Sequence, residues 1–126
     1  MPGVDNCLRE AMAIPGAIGA GIVDCTTGFP VATTGAAPNS DHHATAAGTA
    51  DVVRAANSRS LFVSAVPHDL LEDLIITTAG GYHLLRPLHT DFDSRLVLYV
   101  WLDRMHGNLA VARRRMQRLA HELVTT

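Results

Sequence analysis

The chain has 126 residues, a net charge of −2 and 48% hydrophobic residues. This length predicts a single domain over residues 1–126 with one core. The balanced charge excludes a disordered acidic or basic tail and disfavours a nucleic-acid binder. No apolar run is long enough to span a membrane and no export signal is evident. We therefore expect a cytoplasmic protein without membrane insertion.

The first third of the chain predicts one helix and two strands. Apolar residues recur at three- and four-residue spacing over residues 4–12, which is typical of a short amphipathic helix. Residues 17–24 and 29–35 are rich in strand formers and are separated by a turn in which Gly28 can take a positive φ. Pro30 cannot donate a backbone hydrogen bond, so the second strand is expected at an edge of the sheet.

The middle of the chain predicts a helix capped by Asn39 or Ser40 that ends near Asn57. Alanine, glycine and valine occupy most of its circumference, whereas one sheet can bury only one stripe of a helix. The remaining small residues allow another backbone to approach closely, so a symmetry-related helix is one interpretation. A solvated outer face of an alanine-rich helix is the other.

The second half of the chain predicts three strands and a final helix. Strands are expected near residues 72–78 and 82–88, joined by a tight hairpin at Gly80 and Gly81. Residues 95–103 are continuously apolar, which indicates a strand covered on both faces. The last helix is expected over residues 105–124. The fold class is thus α/β, more narrowly α+β, in the order α-β-β-α-β-β-β-α, with a mainly antiparallel five-stranded sheet and helices on both faces.

The last helix contains three consecutive arginines, residues 113–115. They are turned about 100° apart and cannot form one flat patch. Arg114, Arg118 and His121 share the solvent side, and the spacing of Arg118 and Glu122 allows an ion pair. A solvated face or a protein-contact face fits this pattern better than a nucleic-acid or membrane surface. The opposite apolar stripe comprises Leu109, Ala112, Met116, Leu119 and Leu123.

No sequence motif predicts catalysis, a metal site or a cofactor. The adjacent His42 and His43 diverge on a helix, whereas helical metal ligands need a spacing of three or four. Residues 16–21 (GAIGAG) lack the ending of a phosphate loop and the order of a dinucleotide-binding fingerprint. Cys7 and Cys25 are most simply reduced packing residues, with a functional thiol pair as the less favoured alternative. We expect a protein that is not an enzyme.

Four segments together resemble the roadblock/LC7 family, in the form that actinobacteria and other bacteria encode beside small Ras-like GTPases. The resemblance covers about residues 4 to 124, and the order and spacing of the segments carry it. Besides the alanine-rich middle helix, the segments are IPGAIGAGIVDCTTGFPVATTG, LEDLIITTAGGYHLLRPL and LVLYVWLDRMHGNLAVARRRMQRLAHEL.

The resemblance implies a profilin-like fold and a non-catalytic homodimeric adaptor. Such an adaptor would bind a small Ras-like GTPase, with other signalling proteins as further possible partners, and would modulate the nucleotide cycle or location of the GTPase. Arg54 and Arg59 are the expected partner contacts. The middle helix and the third strand of each copy would pair, and the residues expected at the dimer interface are Val52, Val53, Ala56, Leu74 and Ile76.

An alternative of a different class is a small-ligand sensor built on a profilin-like or PAS-like sheet. That interpretation predicts a buried pocket with convergent polar groups. The adaptor predicts an apolar surface that one chain cannot cover by itself.

Overall fold

A computed structural model describes residues 2–57, 61–89 and 95–125 of the chain. The elements follow the predicted order, and a single 3-10 turn precedes the second helix. The helices are α1 (Pro2–Met12), α2 (His42–Asn57) and α3 (Leu109–Thr125), and the strands are β1 (Ala17–Asp24), β2 (Phe29–Gly35), β3 (Leu74–Thr77), β4 (Gly81–Pro87) and β5 (Leu96–Asp103).

The five strands form one antiparallel sheet in the order β2-β1-β5-β4-β3. The edge position predicted for the strand that contains Pro30 is confirmed, because β2 is one of the two edges. The other edge is β3, which is only four residues long. The register of β1 against β2 shifts between Ile22 and Val23, where the pairing is irregular.

The helices α1 and α3 pack on one face of the sheet and form the larger core. Leu98 and Leu102 of β5 point into this core and are fully buried. The apolar stripe predicted for the last helix is confirmed, since Ala112, Met116 and Leu119 are buried. Leu109 and Leu123 at the two ends of α3 pack partly against the same core.

The helix α2 packs on the opposite face and forms a smaller core. Ala50 and Val53 of α2 meet Val23, Leu85 and Val97 of the sheet there. The prediction that residues 95–103 are covered on both faces is confirmed, because buried residues of β5 belong to both cores.

The start of α2 differs from the prediction. Asn39 and Ser40 adopt positive φ angles of 56° and 59° in the preceding 3-10 turn. The capping residue is Asp41, whose Oδ1 accepts a hydrogen bond from the backbone N–H of Ala44 at 3.0 Å. All three residue types cap helices well, so composition alone does not choose among them.

The start of α3 also lies later than residue 105. Asp103 first closes a turn by accepting a hydrogen bond from the N–H of Met105 at 2.9 Å. Asn108 then caps the helix through its Oδ1, which accepts from the N–H of Val111 at 3.1 Å. Within the described residues, no helix is long and apolar enough to cross a membrane.

Candidate protein-interaction surface

The two faces of the sheet are covered to different extents. On one face, α1 packs over β1 and β2, while α3 packs over β4. On the other face, α2 lies mainly over β2 and β1. The β4–β3 half of the α2 face therefore has much less helical cover than the corresponding half of the other face.

The orientation of α2 follows from three consecutive residues. Val53 is 6% exposed and points at the sheet. The Arg54 guanidinium donates to the backbone carbonyl oxygen of Cys25 at 3.1 Å, so this flank of α2 faces the end of β1. Because consecutive helical residues are about 100° apart, Val52 lies on the flank of α2 turned away from Arg54 and the end of β1. Val52 is 39% exposed.

Small side chains continue this flank along α2. Gly48, Val52 and Ala55 follow one another at spacings of four and three and are all exposed. A Cβ atom added to Gly48 would meet nothing within 4 Å. This outer flank of α2 therefore lacks long side chains at Gly48, Val52 and Ala55. Among the described residues outside α2, none lies close to the space beside Gly48.

An aromatic cluster lies on the same face of the sheet. The His83 ring stacks on Trp101, with centroids 5.9 Å apart and an interplanar angle of 7°. It also stacks on Tyr99 at 6.2 Å. Ile76, paired with His83 in the neighbouring strand, is 40% exposed. The cluster thus continues into an exposed apolar side chain at the sheet edge.

Burial lowers the pKa of His83 below its ordinary value of 6.5. Its ring is therefore neutral at neutral pH, which suits an apolar surface. The Tyr99 hydroxyl lies 3.5 Å from His83 Nδ1. Burial also raises the pKa of Tyr99, so that hydroxyl stays protonated.

The edge strand β3 offers free backbone groups. The N–H of Thr78 donates to the carbonyl of Gly81, which marks this pair as hydrogen-bonded. Hydrogen-bonded pairs alternate along an antiparallel ladder, so Ile76 is paired inward, whereas the backbone groups of Ile75 and Thr77 point away from β4. No strand of the described chain pairs with that outer edge.

The residues predicted for the dimer interface separate into two groups. Val52 and Ile76 lie on the exposed surface described above, and Leu74 is partly buried beside the smaller core. Val53 and Ala56 are buried within a single chain, and Val53 belongs to the smaller core. The interface itself stays a prediction, and Val52 and Ile76 are the members of the set that a second molecule could reach most directly.

Of the two predicted partner contacts, Arg59 lies outside the described residues. Arg54 is exposed at the end of α2 and forms an ion pair with Asp51 at 2.6 Å. Its second contact, to the Cys25 carbonyl, ties α2 to the end of β1. The partner role of both arginines stays a prediction.

Sequence reasoning missed His83 and Trp101 as members of this surface, and it included Gly48 only as one of the small residues that surround α2. Gly48 carried a usable signal, because glycine inside a helix costs about 1 kcal/mol relative to alanine and requires a reason. His83 and Trp101 carried no such signal. The sequence of an apolar strand does not show which of its residues are only partly covered in the fold.

The connection between α2 and β3 carries its own exposed apolar side chains. Leu61, Phe62, Val66 and Leu70 are each more than half exposed, with Phe62 at 75%. Large exposed apolar side chains close together are typical of protein-contact surfaces.

The three consecutive arginines of α3 point in different directions, as predicted. Arg113 donates to Asp73 at 2.8 Å and so ties α3 to the segment before β3. Arg115 donates to the backbone carbonyl of Ala13 at 3.3 Å. Arg114 lies between them on the exposed side and lines a groove beside β4.

The cysteines are free and buried on opposite faces of the sheet. Cys7 belongs to the larger core and Cys25 to the smaller one, so the two thiols cannot meet. Burial, reinforced by the nearby Glu10 and Glu122, raises the pKa of Cys7 to about 11. Both cysteines therefore pack in the cores, as expected, and they do not form a pair with each other.

Other titratable groups serve local structure. Asp103 and His106 approach within 2.6 Å, and this hydrogen bond is the largest cause that lowers the pKa of Asp103. Asp103 also closes the turn before α3, so the pair has a structural explanation. No group of three or more metal-ligating side chains occurs among the described residues.

The sensor alternative predicts an enclosed polar pocket. A cleft of about 560 Å³ lies at the end of α2 and opens to solvent, with Arg54 and Arg95 on its wall. Arg54 already bonds the Cys25 carbonyl, and Arg95 donates to Thr26 Oγ1 at 3.2 Å. Both guanidinium groups are therefore bonded to the end of β1. The cleft is also open to solvent, so it gives little support to the small-ligand sensor.

Comparisons with known proteins identify the fold. No family model and no curated protein matches the sequence. The gliding protein MglB from Thermus thermophilus matches in structure with a TM-score of 0.77 and 16% identity, over 98% of this chain and 87% of that one. An MglB structure described as having a tetrameric arrangement gives 0.77 and 17%, over 97% and 85%. A roadblock/LC7 domain from Streptomyces avermitilis gives 0.70 and 15%, over 96% and 91%. The chain therefore has the roadblock/LC7 fold, as its resemblance to that family implies.

Proposed function

We propose that the protein is a non-catalytic, cytoplasmic, homodimeric adaptor that binds a small Ras-like GTPase and modulates its nucleotide cycle or location. The observation that carries the dimer is that, among the described residues, the half of the sheet under Ile76 and Trp101 has little helical cover and the outer edge of β3 pairs with no strand. An apolar surface beside an unpaired strand edge is unfavourable in an isolated chain and favourable once a partner covers both.

A second copy of the same chain fits this surface. Two copies related by a two-fold axis would place their β3 edges antiparallel, so that the outward backbone groups of Ile75 and Thr77 pair and extend the sheet. The same operation brings the small-residue flanks of the two α2 helices toward each other. Because Gly48 has no side chain and no atom of the described residues occupies the space beside it, the two helices can approach closely at this residue.

The GTPase part of the proposal rests on the resemblance to the roadblock/LC7 family and on the agreement of the fold. Arg54 and Arg59 at the end of α2 are the proposed contacts. An exposed guanidinium is suited to acidic side chains of a partner, since it donates several hydrogen bonds in a fixed planar arrangement.

Gly48→Leu tests the dimer with little cost to the monomer. Leucine favours a helix more than glycine does, and the added side chain meets open space within one chain. Sedimentation velocity should show a dimer for the parent and a monomer for Gly48→Leu, with an equal or higher melting temperature at low concentration. The control is Ala110→Leu, an exposed small residue on α3, which should remain dimeric.

The same samples test the adaptor. The parent dimer should bind a purified small Ras-like GTPase from the source organism with an affinity that depends on bound GDP or GTP, as measured by fluorescence anisotropy. Arg54→Ala should weaken that binding and leave the dimer intact; because the change also removes the hydrogen bond to the Cys25 carbonyl, its melting temperature is compared with that of the parent. A parent that is monomeric at all concentrations overturns the dimer, and a dimer without affinity for any such GTPase overturns the adaptor.

A further inference from the structure

A basic groove of about 520 Å³ lies between α3 and the end of β4. Its walls carry the guanidinium groups of Arg86, Arg114 and Arg118 and the rings of His89 and His121. None of the described residues that line it carries a carboxylate. Because the whole chain has a net charge of −2, this concentration of positive charge is local.

Acidic neighbours neutralise this charge only in part. Arg118 approaches Glu122 at 3.8 Å, which confirms the ion pair predicted from their spacing, yet both side chains are at least half exposed. Arg86 lies 3.9 Å from Asp73, which is already bonded more closely to Arg113. The Arg118–Glu122 pair is long and exposed, so Arg118 can exchange this partner for a ligand. The side chains of Arg86 and Asp73 are largely buried, so Arg86 keeps that neighbour and adds positive charge at the base of the groove.

The lining of the groove combines arginines with apolar surface. Arg114 and Arg118 are one helical turn apart on α3, and Arg86 faces them from β4. Pro87, Leu88 and Ala120 contribute apolar surface to the same groove. A compact anion would use one end of this arrangement, whereas an extended chain with repeated carboxylates and small apolar side chains would use its whole length.

We propose that this groove binds an acidic, extended segment of a partner protein. Carboxylates of the segment would accept hydrogen bonds from the exposed Arg114 and Arg118, and small apolar side chains between them would contact Pro87 and Ala120. Charge complementarity of this kind supplies orientation and a fast association rate in addition to affinity.

Nucleic acid and anionic membranes fit the groove less well. No aromatic side chain of the Phe, Tyr or Trp type is among the described residues that line it, so bases would have no large ring on which to stack. A negatively charged chain is repelled from an anionic lipid surface, and a recessed groove limits contact with a flat bilayer.

The groove is separate from the proposed dimer surface. Arg86 alternates with Leu85 along β4, and Leu85 belongs to the core under α2, so Arg86 projects from the opposite face of the sheet. The groove can therefore be tested whether or not the dimer forms.

The experiment measures binding of a labelled peptide of alternating glutamate and alanine by fluorescence anisotropy, with a glutamine–alanine peptide as the uncharged comparison. The parent protein should bind only the acidic peptide, and less tightly at higher salt. The double variant Arg114→Gln, Arg118→Gln should lose about tenfold in affinity. Arg9→Gln, which removes an exposed arginine of α1 outside the groove, should bind as the parent does.

Unchanged melting temperatures and sedimentation coefficients would show that the variants differ only at the groove. Equal binding of the acidic and uncharged peptides would overturn the proposal, as would an equal loss of affinity in Arg9→Gln and the double variant. Binding of inorganic phosphate, single-stranded RNA or phosphatidylserine vesicles without binding of the acidic peptide would also overturn it.

Discussion

The two faces of the sheet differ in how completely one chain covers them. The face under α1 and α3 is covered by helices from β2 to β4, apart from the basic groove beside β4, and Leu102 on β5 is 0% exposed there. On the opposite face, α2 covers the β2–β1 half, while Trp101, the neighbour of Leu102, remains partly exposed. Adjacent residues of one strand thus have different surroundings, because successive side chains point to opposite faces.

This difference separates folding from interaction. The closed face buries most of the large apolar side chains, so it supplies most of the stability of the chain. Within the part of the chain that the structure describes, the half-covered face leaves exposed apolar area and an unpaired strand edge that another molecule would cover. Substitutions in the core under α1 and α3 should therefore affect unfolding, whereas substitutions on the half-covered face should affect association of two copies.

The largest expected contrast is between two neighbouring residues of α2. Val53→Asp places an unpaired charge in the smaller core, between Val23 and Val97 of the sheet, and should lower the free energy of unfolding by about 3 to 5 kcal/mol. Val52→Asp, on the exposed flank, should change it by about 0.5 kcal/mol at most at a concentration where the protein is monomeric.

Val52→Asp should instead raise the dissociation constant of the proposed dimer by about 30-fold or more, because each copy brings the charge into the interface. Urea unfolding and sedimentation equilibrium measure the two effects separately. A folded, dimeric Val52→Asp would show that this flank of α2 is not the contact surface. A folded, monomeric Val53→Asp would show that Val53 belongs to the interface, as predicted from the resemblance.

The next contrast compares the faces through β5. Leu102→Ala should cost about 2 to 5 kcal/mol of stability, because a fully buried leucine leaves a cavity under α1 and α3. Trp101→Ala should cost the isolated chain about 1 to 2 kcal/mol, since its side chain is only partly buried. The same change should weaken the dimer, whereas Leu102→Ala at a temperature where it stays folded should not. Equal effects of both variants on association would remove the distinction between the faces.

Much of the fold could be predicted from the sequence, because each element has a clear local pattern. Three patterns each indicate one kind of element. They are the small apolar residues of 17–24, typical of a strand, the continuous apolar run of 95–103, typical of a buried strand, and the periodic apolar stripe of the last helix. The helix starts were less certain. Asn39, Ser40 and Asp41 are all good caps, and only the path of the preceding turn selects Asp41.

The interaction surface could be predicted only in part, for a physical reason. Alanine, glycine and valine surround most of α2, so periodicity does not show which stripe faces the sheet. Val52 and Val53 are chemically identical, and their different burial depends on the position of α2 over β1 and β2. Strand pairing also brings His83 next to Trp101 from positions far apart in the chain.

The smallest expected effect is a pH dependence at His83. Burial lowers the pKa of this ring in the folded state, whereas the unfolded chain has the ordinary value of 6.5. Above that value both states hold the ring neutral, and the full stability is present. As the pH falls through 6.5, the unfolded state takes up the proton first, so stability declines. Protonation would also place a charge beside Trp101 and Ile76, on the surface that the second copy is proposed to cover.

His83→Phe keeps a flat ring against Trp101 and removes the titration, so it isolates this contribution from those of the other histidines. Chemical unfolding of the parent and of His83→Phe between about pH 7.5 and 5.5 should show a smaller loss of stability in the variant. Sedimentation over the same range should show that the parent dimer weakens toward acidic pH more than the variant dimer does. Parallel pH profiles for both proteins would mean that His83 is open to water in the folded state, and the aromatic cluster would then lie outside the interface.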